Sequence, residues 1–141
     1  MKTKKNRHQR KWDELIASGV KYRHMLGFED EYIIFETGDV WYITENRFKS
    51  MRTDKHGYKF YLFKTDEYYF YRTVHKLIAE NFIVKDWLDE GLVVHHKDHN
   101  QANNSIDNLQ IMTEEEHIAY HSSSQLTKQK RSNTKTKKKV I

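Results

Sequence analysis

Two basic segments without an acidic residue, one at each end of the chain, limit where a hydrophobic core can form. Lys2–Lys11 carries six of the 25 Lys and Arg residues, and residues 122–141 carry seven. Neither segment has enough large apolar side chains to bury a core, so both are predicted to be disordered until they meet a polyanion. The core must come from Trp12–His121, where the remaining 12 cations stand against all 20 acids and the formal charge is −8.

The composition excludes several classes of protein. The chain has 141 residues and no Cys, which rules out a disulfide scaffold, a Cys-ligated zinc ribbon and a thiol nucleophile. A catalytic metal would have to be held by His, Asp, Glu or Asn. No apolar run approaches the roughly 18 residues that a membrane span requires. We therefore expect one cytoplasmic domain with arms and no membrane segment.

Aromatic and β-branched residues are concentrated in the first half of the central region. Four short runs separated by turn residues predict a meander of antiparallel strands, whose Tyr and Phe side chains we interpret as a sheet core rather than a base-stacking surface. The apolar spacing then changes to the helical period, which predicts an amphipathic helix packed on the sheet. The strands are expected at 31–35, 40–43, 58–63 and 68–71, and the helix at 73–82.

The segment from Leu92 onward has a different pattern. It begins as an apolar strand, ends in a cluster of His and Asp, and continues as a loop rich in Asn and Asp. Asn108–Met112 alternates as a short strand should. Thr113 and Glu116 have the spacing of a capping box, which predicts a helix that starts at Glu114. The predicted order is therefore strand, long loop, strand and helix.

Histidines concentrate in this segment. His117 and His121 lie four residues apart and share one helix face. His95 and His96 are adjacent, so in an extended strand their side chains point to opposite sides. One strand histidine could join the helical pair on a divalent cation while the other stays free as a base, as metal-assisted hydrolysis requires. The remaining histidines that we expect to be scattered are His8, His24, His56 and His99.

Residues 94–109, followed by Thr113–His117, resemble the HNH endonuclease motif on a ββα-metal (His-Me) finger. Val74–Phe82 is similar to the helix before the finger in phage and intron-encoded homing endonucleases, and residues 27–40 weakly resemble the small sheet module that often precedes it. The resemblance implies an α+β fold, in which a small antiparallel sheet module is followed by the HNH fold, with basic disordered termini. The implied parts are an arm at 1–11, a β-rich module at 12–57, the nuclease domain at 58–121 and a tail at 122–141.

The resemblance also implies roles for individual residues. His96 matches the general base, and Asn108 matches the central Asn that holds the loop and orients that base. His95 and His117 match metal ligands, and His121 matches an extra helical histidine of the bacteriocin nuclease branch. The implied cofactor is one divalent ion, Mg²⁺ or Mn²⁺, although a three-histidine site would also favour Zn²⁺ or Ni²⁺ over Mg²⁺.

The expected function is that of a metal-dependent DNA endonuclease that nicks or cuts the duplex in a bacterial or phage-infected cell. Because the central region is acidic, we expect the basic ends to supply the phosphate contacts. The alternatives are a catalytically silent DNA-binding protein, an RNA-cleaving nuclease, or a structural zinc site under a regulatory module. The candidate DNA-binding residues are Lys4, Lys5, Arg7, Arg10, Lys11, Lys128, Lys130 and Arg131.

Overall fold

The structure is a computed structural model, which describes residues 4–120. It begins with helix α1, Arg7–Ser18. The Asn6 side chain caps the helix by accepting a hydrogen bond from Gln9 N at 2.9 Å, and Gly19 ends it in the left-handed region at φ 77°. The N-terminal arm was expected to be disordered, and for residues 7–11 this prediction is wrong.

Contacts with the rest of the fold explain why helix α1 forms. Trp12 and Leu15 pack against a buried cluster that includes Phe35 and Trp41. The rings of Trp12 and Trp41 have centroids 4.8 Å apart. Burying this apolar stripe offsets the entropy of ordering the basic residues that precede it in the same helix.

Two antiparallel sheets follow the helix. The first sheet contains, in this order, β1 Tyr22–His24, β2 Tyr32–Phe35, β3 Val40–Tyr42 and β4 Arg47–Phe48. The second contains, in this order, β5 Arg52–Thr53, β6 Lys59–Lys64 and β7 Tyr69–Thr73. The four predicted strands are confirmed as β2, β3, β6 and β7, but they lie in two sheets, and β1, β4 and β5 were not predicted. Gly38 lies at φ 94° in the turn between β2 and β3.

A helix packs on the second sheet, as the sequence predicts. Helix α2, Val74–Ile78, continues as a wider π-helical turn over Ala79–Ile83. Glu80 on this turn is fully buried, where it pairs with Arg72 of β7 and accepts a hydrogen bond from the backbone N–H of Leu88 at 3.2 Å. This anchor fixes the connection that leads into the next strand.

The last part of the described chain is a ββα unit. Strand β8, Leu92–His96, pairs with strand β9, Leu109–Thr113, and residues 114–120 form helix α3. The register places His96 opposite Leu109. The predicted capping box is present, because Glu116 N donates to Thr113 Oγ1 at 3.1 Å and Thr113 N donates to the Glu116 carboxylate at 2.9 Å.

One hydrophobic core connects these elements. Ile34 and Val40 of the first sheet, Tyr61 of the second sheet, Leu77 of α2 and Leu109 of β9 belong to the same buried cluster. Strand β5 also pairs with β6 across the boundary expected at residues 57 and 58. The N-terminal sheet, helix α2 and the ββα unit are thus held together by apolar contacts.

Candidate active site

The adjacent histidines of β8 have different neighbours, as the alternation of side chains along a strand predicts. The ring of His95 faces His117 and Tyr120 of α3, with centroid distances of 6.0 and 4.7 Å. The ring of His96 faces His75 of α2, at 4.9 Å. Both β8 histidines are buried. The strand therefore separates two environments, one containing α3 and the other containing α2.

A hydrogen bond determines the tautomer of His96. Its Nε2 atom lies 2.7 Å from Oδ1 of Asn104. A carbonyl oxygen can only accept, so Nε2 carries the proton in the neutral ring and Nδ1 keeps the free lone pair. Asn104 was not among the predicted site residues, although its place in an Asn-rich segment was the one available signal.

Asn108 holds the loop between β8 and β9, which we call the Asn-rich loop (residues 97–105). Its Oδ1 accepts from Asp98 N at 3.1 Å, and its Nδ2 donates to Asp98 Oδ1 at 2.9 Å and to Asn103 O at 2.8 Å. Its own carbonyl accepts from Lys97 N at 2.8 Å. Every polar atom of the amide is thus bonded to the loop that follows His96.

Asp98 also accepts several hydrogen bonds within the Asn-rich loop. It was not among the site residues predicted from the sequence. Its carboxylate accepts hydrogen bonds from Asn103 Nδ2 and from Asn100 N, both at 2.8 Å, besides the one from Asn108. Hydrogen bonds to the charged form, first that from Asn103, lower the pKa of Asp98 to about 2. Asp98 therefore stays ionised and organises the loop that carries Asn104.

His95 and His117 are the two predicted metal ligands that the structure brings together. The centroids of their rings are 6.0 Å apart, and an imidazole nitrogen is a common donor to divalent transition-metal ions. The third predicted ligand, His121, lies outside the described residues. Within residues 4–120, no three His, Asp or Glu side chains are grouped to hold a metal.

His99 lies beside the candidate metal ligands, which corrects the expectation that it is scattered. Its ring centroid is 5.4 Å from that of His95, and its Nε2 is 2.6 Å from the Tyr120 hydroxyl oxygen. The backbone of His99 has φ 63°, in the left-handed region that a side chain with a Cβ rarely adopts. The hydrogen bond to Tyr120 connects the Asn-rich loop to α3.

Several of the candidate DNA-binding cations already have partners. Lys5 pairs with Asp13 at 2.6 Å, and Lys11 pairs with Asp39 at 2.7 Å. Arg10 donates to the carbonyl oxygen of Lys5 at 2.5 Å. Lys4 and Arg7 are exposed on or beside α1. The other three candidates, Lys128, Lys130 and Arg131, lie outside the described residues.

The helices between residues 4 and 120 are short or polar. None of them combines the length and the apolar character that crossing a bilayer requires.

Comparison with known proteins identifies relatives. Residues 72–119 match the model of the HNH endonuclease family. The DNA endonuclease I-HmuI of Bacillus phage SP01 is 33% identical over 96 residues, which cover 67% of this chain and 53% of that protein. The H-N-H endonuclease F-TflII of Escherichia phage T5 is 33% identical over 87 residues, covering 62% and 45%. The chain thus spans about half the length of these two relatives.

A solved structure is also similar. It is described as DNA binding and cleavage by the HNH homing endonuclease I-HmuI, and it matches with a TM-score of 0.64 and 27% identity. The match covers 82% of this chain and 69% of that chain.

Proposed function

The chain belongs to the HNH endonuclease family, and we propose that it is a metal-dependent DNA endonuclease with His96 as its general base. The observation that carries the proposal is the arrangement around β8. There, a buried histidine with a fixed tautomer adjoins a histidine that faces α3. Metal-assisted hydrolysis needs both a proton acceptor and a charge-stabilising ion, and the two faces of β8 offer a residue for each.

The proton acceptor is Nδ1 of His96. Because Nε2 is occupied by Asn104, the lone pair on Nδ1 takes the proton of a water molecule whose oxygen attacks phosphorus. The bond from phosphorus to the 3′ oxygen breaks, and the 3′ oxygen takes a proton from solvent water, which gives a 5′-phosphate and a 3′-hydroxyl. Asn108 and Asp98 act indirectly. The hydrogen bond between them helps to set the conformation of the loop that carries Asn104.

The proposed metal ligands are His95 and His117, with His121 as a third. A divalent ion bound there would stabilise the negative charge that develops on the phosphate and on the leaving oxygen. Two nitrogen donors are compatible with Mn²⁺, Zn²⁺ and Ni²⁺ as well as with Mg²⁺, which prefers oxygen ligands.

The proposed substrate is double-stranded DNA. Support comes from the relatives, since one is named a DNA endonuclease and its structure is described as DNA binding and cleavage. We propose that the cations at the two ends of the chain neutralise phosphates, with Lys4 and Arg7 the least engaged among the described ones. Since both relatives are phage proteins, the proposed place of action is the cytoplasm of a bacterial or infected cell.

Plasmid cleavage tests the proposal. Supercoiled DNA is incubated with the protein and Mg²⁺, Mn²⁺, Ni²⁺ or Zn²⁺, and the nicked and linear products are quantified. We expect cleavage with at least one metal, its loss in His96→Ala, and DNA affinity retained in that variant. His24→Ala is the matched control, because His24 is exposed on β1 and its ring bonds to the backbone of Glu29 rather than to a residue of the candidate site.

Three results would contradict the proposal. Cleavage by His96→Ala at the wild-type rate would exclude His96 as the base. DNA binding without cleavage in any metal would favour a catalytically silent DNA-binding protein. Faster cleavage of a matched RNA duplex or single strand would identify an RNA nuclease instead.

A further inference from the structure

His75 forms a compact group of rings with His96. It lies in the first turn of α2 and is buried, and its ring centroid is 4.9 Å from that of His96. Tyr58 completes the group, with its ring centroid 5.4 Å from His75 and 6.1 Å from His96. His96 is thus contacted by two rings in addition to the hydrogen bond from its Nε2 to Asn104.

Stability does not explain an imidazole at position 75. Its Nδ1 atom is buried and has no hydrogen-bond partner among the described residues. An unpaired buried nitrogen lowers stability, whereas the other buried positions of α2, Val74, Leu77 and Ile78, carry apolar side chains. A position that sacrifices stability beside a reacting group is the pattern expected where function constrains the residue.

The environment keeps the His75 ring neutral. Burial lowers the pKa of His75 to about 3, and the neighbouring His96 and Lys76 contribute to this lowering, against the opposing effect of Asp54. A neutral ring can pack closely against His96 without charge repulsion. The His75 ring therefore packs as an uncharged group against one side of the His96 ring.

We propose that His75 is a positioning residue, which fixes the plane of the His96 ring by direct packing. The inference rests on the proposed function of His96 as the base. The hydrogen bond to Asn104 holds one atom of that ring and leaves rotation about this atom possible. Packing against His75 and Tyr58 removes that rotation, so that Nδ1 of His96 points in a single direction. Misorientation of a reacting group by about 1 Å can cost about a hundredfold in rate.

The test compares two replacements of His75 that remove the ring but keep a side chain at this buried position. His75→Leu fills the space without a ring or an unpaired nitrogen, and His75→Gln keeps a polar group without a ring. We expect both to lower kcat for plasmid cleavage about tenfold or more, with KM and DNA affinity within about twofold of wild type. His75→Leu is expected to melt at or above the wild-type temperature. Leu77→Ala, the matched control on the same helix, should lower the melting temperature and leave kcat unchanged.

A double-mutant cycle shows whether His75 acts through His96. Because Asn104 holds the same ring, the losses in kcat from His75→Leu and Asn104→Ala should combine to less than their product. Wild-type kcat in both His75 variants would overturn the inference, as would fully multiplicative losses. These outcomes leave the proposed function intact as long as wild type cleaves and His96→Ala does not. Absence of cleavage by the wild-type protein in every metal would overturn both.

Discussion

Oδ1 of Asn104 lies 2.7 Å from Nε2 of His96, although Asn104 belongs to a loop and His96 ends a strand. We predict that Asn104→Ala lowers kcat for plasmid cleavage about tenfold, because the ring of His96 loses the bond that selects its tautomer. DNA affinity should be unchanged. The measurement is the rate of plasmid nicking at saturating enzyme.

Gln101→Ala provides the control for Asn104→Ala. Gln101 lies in the same Asn-rich loop, and its side chain takes no part in the hydrogen bonds that Asp98 and Asn108 make there. Its replacement should leave kcat at the wild-type value. Equal losses in the two variants would mean that any change in the loop slows the reaction, and the specific role of Asn104 would be excluded.

Acid should destabilise the loop through Asp98. Its pKa in the folded chain is about 2, below the ordinary value of 3.8, so the ionised form favours the folded state. The stabilisation is fully present above about pH 4 and is lost as pH falls towards about 2. We predict that Asp98→Asn is less stable than wild type at pH 6 and that the difference narrows by about pH 3. Urea unfolding at a series of pH values measures it, and a pH-independent difference would contradict the prediction.

Removing His117 should weaken metal binding. His117→Ala loses one of two described nitrogen donors, so we expect the affinity for Mn²⁺ or Zn²⁺, measured by titration calorimetry, to fall at least about tenfold. His96→Ala should bind the ion with wild-type affinity, because its ring does not face α3. A loss of affinity in His96→Ala but not in His117→Ala would reverse the assignment of ligand and base.

The backbone at His99 predicts an unusual order of stabilities. At φ 63°, Gly is unstrained and Ala is strained, so His99→Gly should be more stable than His99→Ala by about 1 kcal/mol. Both variants lose the hydrogen bond to Tyr120, so the difference between their free energies of unfolding reports the backbone strain alone. Thermal unfolding measures the difference. A more stable His99→Ala would show that this φ is not kept in solution.

The candidate DNA-binding cations near the N-terminus and those near the C-terminus should contribute unequally to DNA affinity. Lys5 and Lys11 are already paired with Asp13 and Asp39, so replacing both by Gln should change the salt dependence of DNA affinity only slightly. Replacing Lys128, Lys130 and Arg131 by Gln should reduce the slope of log affinity against log salt by about 0.9 for each phosphate that is no longer neutralised. Filter binding at several salt concentrations distinguishes the two. Equal slopes in both variants would contradict the prediction.

Local patterns were sufficient for much of the fold. The capping box of Thr113 and Glu116 needs only three residues of spacing, and it has the expected hydrogen bonds. The opposite orientation of His95 and His96 follows from the geometry of any strand. Strands β2, β3, β6 and β7 and helix α2 were likewise predicted from local patterns, whereas β1, β4 and β5, each only two or three residues long, were not.

Contacts between distant residues account for what the sequence did not predict. Helix α1 depends on Trp12 meeting Trp41, which lies on a strand 29 residues further along the chain. His75 and His99 join the site only because α2 packs behind β8 and because the Asn-rich loop turns back to Tyr120. No spacing rule connects such residues, so their role became visible only in three dimensions.

The placement of His95 and His96 on opposite sides of β8 has a consequence for how the site can change by substitution. Because His95 and His96 have separate sets of neighbours, substitutions around α3 would, under the proposed roles, alter the choice of ion while the surroundings of His96 stay the same. Changes around α2 and Asn104 can in the same way adjust the base without disturbing the ligands. The two proposed roles can therefore be altered by substitution independently, one face of β8 at a time.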